Sequence, residues 1–561
     1  MFFSEYKKFY ILFSAVLAVS FVLFWPSLGG KFTLDDHSVI EKGVLLKGVK
    51  NIPEILVSSW HPGGQWAGNY RPLTSISFAL NAIFSESPIG FRIVNLLLYA
   101  LNVVFIFYLV RKFSTERVAY LTAILFLFLP IHSEVVMSVV GRVYLLGTLF
   151  SIISIYYLFD KKYWISSTFF LLALFSGDAF ISFILVVGTL LLIEYRNLGK
   201  VFRLGMIYVA GLPLYFFLRF LALGRYAFGG YGFVDPIIGP LAFVSPKERI
   251  FTALSHLYLY LRKTIYPVDL SPDYSFNQIP IVSNIFLSWR SVIGLFFLLV
   301  LICVFYKSKR GDIKFAIILF LAPYLVISNI FFITTGTMAE RWWYFPSIGL
   351  TMLAAISLEL LVSKFKYLKR YIYGLGIVIL AWYSFIISGQ NKVWLNDQNL
   401  FVYASEKSPN SAWTRTNVAE GFFLSGNVEK AKAEIMAALS ISDEYPSALY
   451  VLAQIHWKEG KFGEAEDVLN NALKFDIYDR NKRSFNRSLA LINLDVGNNK
   501  QALFYMREAV KWPTTGDLDK TMKIDNALLA KIGEYADREV NSYSQEEIQE
   551  LGQLIKILRG F

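Results

Sequence analysis

LSGNVEKA (Leu424–Ala431), KEGKFGEA (Lys458–Ala465) and DVGNNKQA (Asp495–Ala502) repeat one pattern. In each, a glycine (Gly426, Gly460, Gly497) is followed five residues later by an alanine (Ala431, Ala465, Ala502). The glycines are 34 and 37 residues apart. That period is one of paired antiparallel helices. The glycine suits the turn between the helices, and the small alanine lets them approach closely. Pro409, Pro446 and Pro513 punctuate the units. The pattern predicts three helical hairpins over about 410–514, with a further helical stretch, 519–561, capping the stack.

This stretch resembles the tetratricopeptide repeat. What precedes it is of another kind. The chain has 561 residues, 55% of them hydrophobic and 17% charged. Soluble globular proteins carry about 25% charged residues. Aromatic residues make up 17%, led by 50 Phe. A disordered chain, a soluble nucleic-acid binder and a small disulfide scaffold are excluded, and nucleic acid is not an expected partner. The one cysteine, Cys303, allows no intramolecular disulfide.

A membrane span needs about 20 mostly apolar residues. Residues 1–394 offer eleven such stretches, near 9–29, 89–110, 118–136, 139–159, 163–177, 179–195, 204–223, 290–306, 314–332, 347–363 and 371–389. The first reads as a retained span rather than a cleaved signal. The expected fold is therefore all-α. A polytopic membrane domain (1–394) with outer loops 30–88 and 224–289 is followed by a soluble α-solenoid (395–561).

Charge sets the expected orientation. With 20 Lys and Arg against 24 Asp and Glu, residues 395–561 carry −4, so the formal +12 of the chain leaves +16 on residues 1–394. Lys7 and Lys8 precede the first span, and every second loop is basic: Arg111, Lys112 and Arg117; Lys161 and Lys162; Arg196, Lys200 and Arg203; Lys307, Lys309, Arg310 and Lys314; Lys364, Lys366, Lys369 and Arg370. The positive-inside rule then puts the N-terminus in the cytoplasm. The alternation holds if 249–267, with His256, Arg262 and Lys263, is an interfacial helix on the outer face. Eleven spans place the repeats outside the cytoplasm.

The unusual polar residues collect on that outer face. FTLDDHSVI brings Asp35 and Asp36, NYRPLTS brings Arg71, and LPIHSEVVMSVVGR brings His132, Glu134 and Arg142. Further on, LSPDYSFNQIP is followed by TGTMAERWWYFPSIG with Glu340 and Arg341. Charges near hydrocarbon are costly and tend to serve function. Adjacent carboxylates supply a general base, and arginines hold phosphate bidentately. Each has a plainer reading. Asp35 and Asp36 suit a helix cap. His132-x-Glu134 suits a helix end, since residues two apart do not face together. Arg142 and Arg341 suit interface anchors, and Trp342, Trp343 and Tyr344 suit an aromatic belt. Their convergence on one face favours a site.

In order and spacing these motifs, with Trp394 ahead of the repeats, resemble the transmembrane and tetratricopeptide-repeat-containing family of protein O-mannosyltransferases. These are GT-C-fold, polyprenyl-phosphate-sugar-dependent glycosyltransferases. The resemblance spans almost the whole chain. It implies transfer of a hexose such as mannose from a polyprenyl phosphate to Ser or Thr of an exported protein, with inversion. The first-loop acid that takes the acceptor proton maps onto Asp35–Asp36, with Asp35 favoured by likeness to the Asp-Glu pair of related enzymes. Arg71, His132, Arg142 and Arg341 map onto donor-phosphate binding and active-site organisation, supported by Glu134 and Glu340. No cofactor or metal is required, since arginine neutralises the phosphate. The repeats would recruit the acceptor. Where family members have Ser-Lys-Glu, this chain has Ser176-Gly177-Asp178, which puts a lysine role in donor binding in doubt. A lipid or polysaccharide acceptor is the alternative, as is a non-enzymatic scaffold for secretion or filament assembly. A transporter fits less well, because the charges gather at one face rather than at mid-membrane. The lack of outer-face cysteines fits a prokaryotic envelope and is compatible with the endoplasmic reticulum.

Overall fold

A computed structural model describes residues 2–511, except 42, 44, 45, 47, 62–67, 196, 229–234 and 477–480. The expected cap 519–561, Pro513 and Arg196 lie outside the described residues. Among those described, every regular element is helical. The chain forms two compact units, one reaching to Lys407 and the other beginning at Ser408, the latter including the short segment 276–278.

The first unit is built from α1 (Phe2–Phe24), α2 (Pro72–Ala82), α3 (Pro88–Arg111), α4 (Glu116–Leu127), α5 (Arg142–Phe159), α6 (Tyr163–Ser176), α7 (Phe183–Tyr195) and α8 (Leu198–Val209). It continues with α9 (Leu212–Leu223), α10 (Pro246–Ile265), α11 (Trp289–Lys307), α12 (Gly311–Ile327), α13 (Pro346–Lys364), α14 (Lys369–Val393) and α15 (Asp397–Lys407). Among the described residues eight helical segments are long and apolar enough to cross a bilayer, one of them α8 and α9 together, and nine if one bent pair counts as a span. This is a polytopic membrane domain.

The eleven expected spans lie on helical segments, fewer of which pass that test, because not every one runs straight or full length and 204–223 is divided between α8 and α9. The stretch 118–136 breaks between α4 and Pro130–Met137, which meet at 57°. Pro130 removes a helical donor and starts a new turn. Helix α6 has 14 residues and α12 has 17. Helix α10 opens on a capping box between Ser245 and Glu248. One face of it is buried, with Leu257, Leu259 and Tyr260 in an aromatic core with Phe320, Tyr324 and Trp343. Trp343 lies parallel to Tyr260 at 4.5 Å, and its indole nitrogen donates to Thr264 Oγ1 at 2.8 Å. Trp343 and Tyr344 are wholly buried. They are core residues rather than the aromatic belt their sequence suggested, because the turn before α13 points them into the bundle.

The second unit holds three helical hairpins: α16 (Ala412–Leu424) with α17 (Val428–Ile441), α18 (Pro446–Lys458) with α19 (Phe462–Phe475), and α20 (Lys482–Asp495) with α21 (Asn499–Val510). Gly426, Gly460 and Gly497 all take positive φ (84°, 76° and 76°). At each turn the residue after the glycine donates back to the carbonyl five positions earlier: Asn427 to Phe422, Lys461 to His456 and Asn498 to Asn493. This is the glycine-terminated helix end in which a left-handed residue satisfies orphan carbonyls. Ala431, Ala465 and Ala502 are completely buried.

Candidate active site

The loop after α1 separates two neighbouring carboxylates. Asp36 is fully buried, while Asp35 is exposed. Asp36 accepts hydrogen bonds from the amides of Thr33 (3.2 Å), Val139 (3.3 Å) and Val140 (2.9 Å). Val139–Gly141 is a tight turn that leads directly into α5. Asp36 thus satisfies amides at a helix entry that have no helical partner. Burial pushes its carboxyl up to about 6, against the pull of those hydrogen bonds and of Arg92. Its geometry is that of a cap and anchor. Among the described residues the Asp35 side chain makes no hydrogen bond, and it interacts electrostatically with Arg341 and His61.

Arg341 is presented by the turn Glu340–Trp343, locked in place by buried Trp343. Its backbone amide donates to Glu134 Oε2 at 3.0 Å, and its guanidinium pairs with Oε1 of the same carboxylate. The Glu134 side chain is 5% exposed and that of Arg341 36%. One side of the guanidinium is therefore held and the rest is open. Burial works against its charge, but Glu134, Tyr144 and Asp35 outweigh that and raise its pKa.

Arg71 immediately precedes the Pro72 that starts α2. Its guanidinium lies over the Trp60 ring at 5.0 Å and donates to Asn69 Oδ1 at 3.3 Å. Its Nε is buried without a partner among the described residues. Beside it, His61 lies 3.3 Å through Nδ1 from Ser38 Oγ. Burial lowers the His61 pKa, with Asp35 opposing and Arg71 adding to the effect. Asp35, His61, Arg71, Glu134 and Arg341 thus form one electrostatic neighbourhood, in which the exposed Asp35 carboxylate shares its surroundings with two arginines. Such a set is suited to accepting a proton beside an anion.

The other expected site residues have different surroundings. Arg142 is wholly buried and donates to Asn95 Oδ1 (2.9 Å), Asn81 Oδ1 (2.9 Å), Phe91 O (2.8 Å) and Ser77 O (3.2 Å). Its donors are spent on joining α2, α3 and α5. His132 is also wholly buried, packed against Phe126, Tyr99 and Tyr344, with Nε2 2.9 Å from Ser347 Oγ. Glu134, two residues on, turns the other way toward Arg341. Glu340 is buried beside Lys263 and Tyr274, and accepts from the Ser271 amide at 2.8 Å. Burial raises its pKa, with Lys263 and Tyr274 opposing. It pins the LSPDYS loop rather than facing Asp35.

The sequence marks Asp178 but neither His61 nor Arg219, the partner of Asp178. His61 carried one signal: it is one of only five histidines and shares a loop with Asp35. Asp178 is ion-paired with Arg219 of α9, and accepts from Tyr215 OH at 2.7 Å and from the Tyr70 amide at 3.0 Å. Arg219 also donates to Gly68 O at 2.7 Å. The pair therefore clasps the strand of chain that leads to Arg71. The cation beside this acid comes from α9, not from the preceding residue. A Cβ on Gly177 would lie 2.7 Å from Val143 Cγ1, so the position is crowded for a larger residue.

Fold and site together define a polytopic helical membrane protein with helical repeats and a charged cluster in its membrane unit. The tetratricopeptide repeat model matches residues 446–476, which are α18 and α19. The chain is 24% identical over 443 residues to protein O-mannosyl-transferase F38B6.6 of Caenorhabditis elegans, covering 77% of this chain and 62% of that protein. It is 27% identical over 487 residues to human protein O-mannosyl-transferase TMTC4, covering 73% and 63%. With human protein O-mannosyl-transferase TMTC3 the identity is 24% over 507 residues, covering 81% and 54%. The resemblance seen in the motifs thus extends over most of the chain, and its relatives are protein O-mannosyl-transferases. The chain spans less than two thirds of the length of these relatives.

Proposed function

We propose that this protein is a membrane glycosyltransferase that moves a hexose from a polyprenyl phosphate to Ser or Thr hydroxyls of an exported protein. The observation that carries this reading is the exposed Asp35 carboxylate beside Arg341 and His61, while its neighbour Asp36 is buried as a cap. Relatives named as protein O-mannosyl-transferases support the reaction class.

In this reading the acceptor oxygen attacks the anomeric carbon and gives its proton to Asp35. The bond from that carbon to the phosphate oxygen breaks, and the phosphate leaves with the electron pair. Attack from the face opposite the leaving group inverts the anomeric centre. The open side of Arg341 and the half-buried guanidinium of Arg71 meet the charge that grows on the departing phosphate. Two arginines supply that neutralisation, so the step as written needs no metal ion. Glu134 orients Arg341. The basic loops put the N-terminus in the cytoplasm and the site and repeats outside it, in a prokaryotic envelope or its endoplasmic-reticulum counterpart. The repeat unit recruits the acceptor.

The test is direct. Purified full-length protein is given a polyprenyl-phosphate hexose and a Ser/Thr-containing acceptor protein, and the acceptor is weighed intact. A hexose-sized gain that Asp35→Asn abolishes supports the reading. Full transfer by a folded Asp35→Asn protein removes Asp35 as base. Product found only in the lipid fraction moves the acceptor to a glycolipid.

A further inference from the structure

Asp35 sits between two pinned residues. On its C-terminal side Asp36 is tied to the amides of Val139 and Val140. On its N-terminal side Leu34 takes φ +51°, a left-handed conformation that a branched residue rarely adopts. Such a conformation persists only when its surroundings hold it. What holds it is a carboxylate far away in the chain. The Leu34 amide donates to Asp397 Oδ1 at 2.9 Å. The other oxygen of Asp397 lies 2.7 Å from His37 Nε2. His37 in turn bonds through Nδ1 to Glu41. Asp397 is the first residue of α15, and the adjoining chain runs alongside the loop. Lys31 N donates to Leu395 O at 2.7 Å, and Arg92 joins Lys31 O (2.6 Å) to Trp394 O (3.3 Å).

We propose that Asp397 and His37 are positioning residues that hold the Asp35 carboxylate in place for sugar transfer. The proposal rests on the reading of Asp35 as the base. Neither residue touches the reacting atoms. Asp397 fixes the backbone just before Asp35, as Asp36 fixes it just after, so the side chain between them is aimed while staying open. His37 keeps Asp397 in register.

The clasp is also sensitive to pH. A charged imidazole donates from both nitrogens, whereas a neutral one donates from only one. The groups facing His37 are Glu41 on its own turn and Asp397 on α15, with Asp35 two residues before it in the chain. Burial works against its charge, but the two carboxylates outweigh that and raise its pKa. The clasp is therefore complete at low pH and loses one bond as pH rises through the raised His37 value.

The experiment pairs backbone hydrogen exchange over residues 31–38 with steady-state transfer, both on the full-length protein. Asp397→Ala is expected to speed exchange there about tenfold, and to lower kcat about 10- to 100-fold, in the range that small misplacements cost. The donor KM should stay within about twofold, since no donor contact is removed. Asp397→Asn keeps an acceptor for Leu34 and should fall between wild type and Asp397→Ala, which covers the case in which the alanine variant fails to fold. His37→Gln should flatten the alkaline limb of the kcat profile. Asp35→Asn should lose transfer yet exchange like wild type. Wild-type exchange at 31–38 in Asp397→Ala, or faster exchange with wild-type kcat, overturns the proposal. If wild type transfers no sugar, the functional reading fails, while exchange still decides whether Asp397 holds the loop.

Discussion

The Val140 amide donates to Asp36 Oδ1 at 2.9 Å, joining the loop after α1 to the entry of α5. With the amides of Thr33 and Val139 on the same carboxylate, this makes Asp36 a structural acid. Asp36→Ala leaves three amides without an acceptor and removes a countercharge near Arg92. The expected loss is about 3–5 kcal/mol, typical of breaking a buried charge network. Asp35→Asn should cost no more than about 0.5 kcal/mol, as at an exposed position. It should still lower transfer about 10²- to 10⁴-fold. Thermal unfolding and transfer assays on both variants check the division. Equal stability losses would contradict it.

Asp36 also predicts a pH effect of definite sign. Its folded value, about 6, lies above the ordinary 3.8. The folded state therefore holds the proton more tightly than the unfolded one. Stability from this group is fully present below the ordinary value and is lost as pH rises toward about 6. The stability gap between wild type and Asp36→Asn should be wider at acid pH than at pH 7.5, by on the order of 3 kcal/mol at most. Denaturant unfolding at both pH values measures it. A gap that widens toward neutral pH would reverse the sign.

Arg341 is held by Glu134 at both its amide and its guanidinium. Arg341→Lys keeps the charge but loses the planar fork that matches phosphate. The donor KM should rise about tenfold, with little change in stability because the site is partly open. Glu134→Gln should behave alike through looser placement of the arginine. Kinetics at varied donor concentration test this, and an unchanged donor KM in both variants would remove Arg341 from phosphate binding.

The two halves of the fold were readable because each rests on a periodic cue. Apolar runs marked the helices of the membrane unit, and Gly-x4-Ala marked each hairpin. What stayed hidden depended on where side chains point. Trp343 and Tyr344 read as belt residues because sequence does not say which way a turn faces. Asp35 was favoured over Asp36 by likeness alone, because only the fold shows that Val139 and Val140 approach Asp36. For Arg142, donor-phosphate binding, active-site organisation and an interface anchor all stayed open, because Asn81 and Asn95, which occupy its donors, lie 61 and 47 residues away in the chain. Asp397 was invisible as a partner of His37, being 360 residues distant.

The repeat turns give a stability prediction. Gly460 has φ 76°, where an added Cβ costs about 1–2 kcal/mol. Ala465 is wholly buried, and Ala465→Leu should overpack the α18–α19 contact by about 1–3 kcal/mol. The two effects differ in kind. Gly460→Asn should recover part of the loss, since asparagine tolerates the left-handed region. Ala465→Ser should be milder than Ala465→Leu because it adds far less volume. Circular dichroism melts of the full-length protein carrying each change distinguish backbone strain from crowding.

Gly177 stands where the resembling family often has lysine, and its surroundings explain why a cation arrives by another route. Its φ is −171°, open to any residue, so the restriction is space rather than backbone. A Cβ there meets Val143 Cγ1 at 2.7 Å, and Phe180 at 3.4 Å. The charge opposite Asp178 is instead Arg219. Arg219→Ala should free Asp178 and loosen Tyr70, and with it the approach to Arg71, raising the donor KM more than it lowers kcat. Gly177→Lys alone should cost about 1–3 kcal/mol through overpacking. It should leave the donor KM unimproved, because Arg219 already occupies the acid. If Gly177→Lys rescues Arg219→Ala without loss of stability, a cation from either position serves Asp178, and crowding at Val143 does not govern the choice.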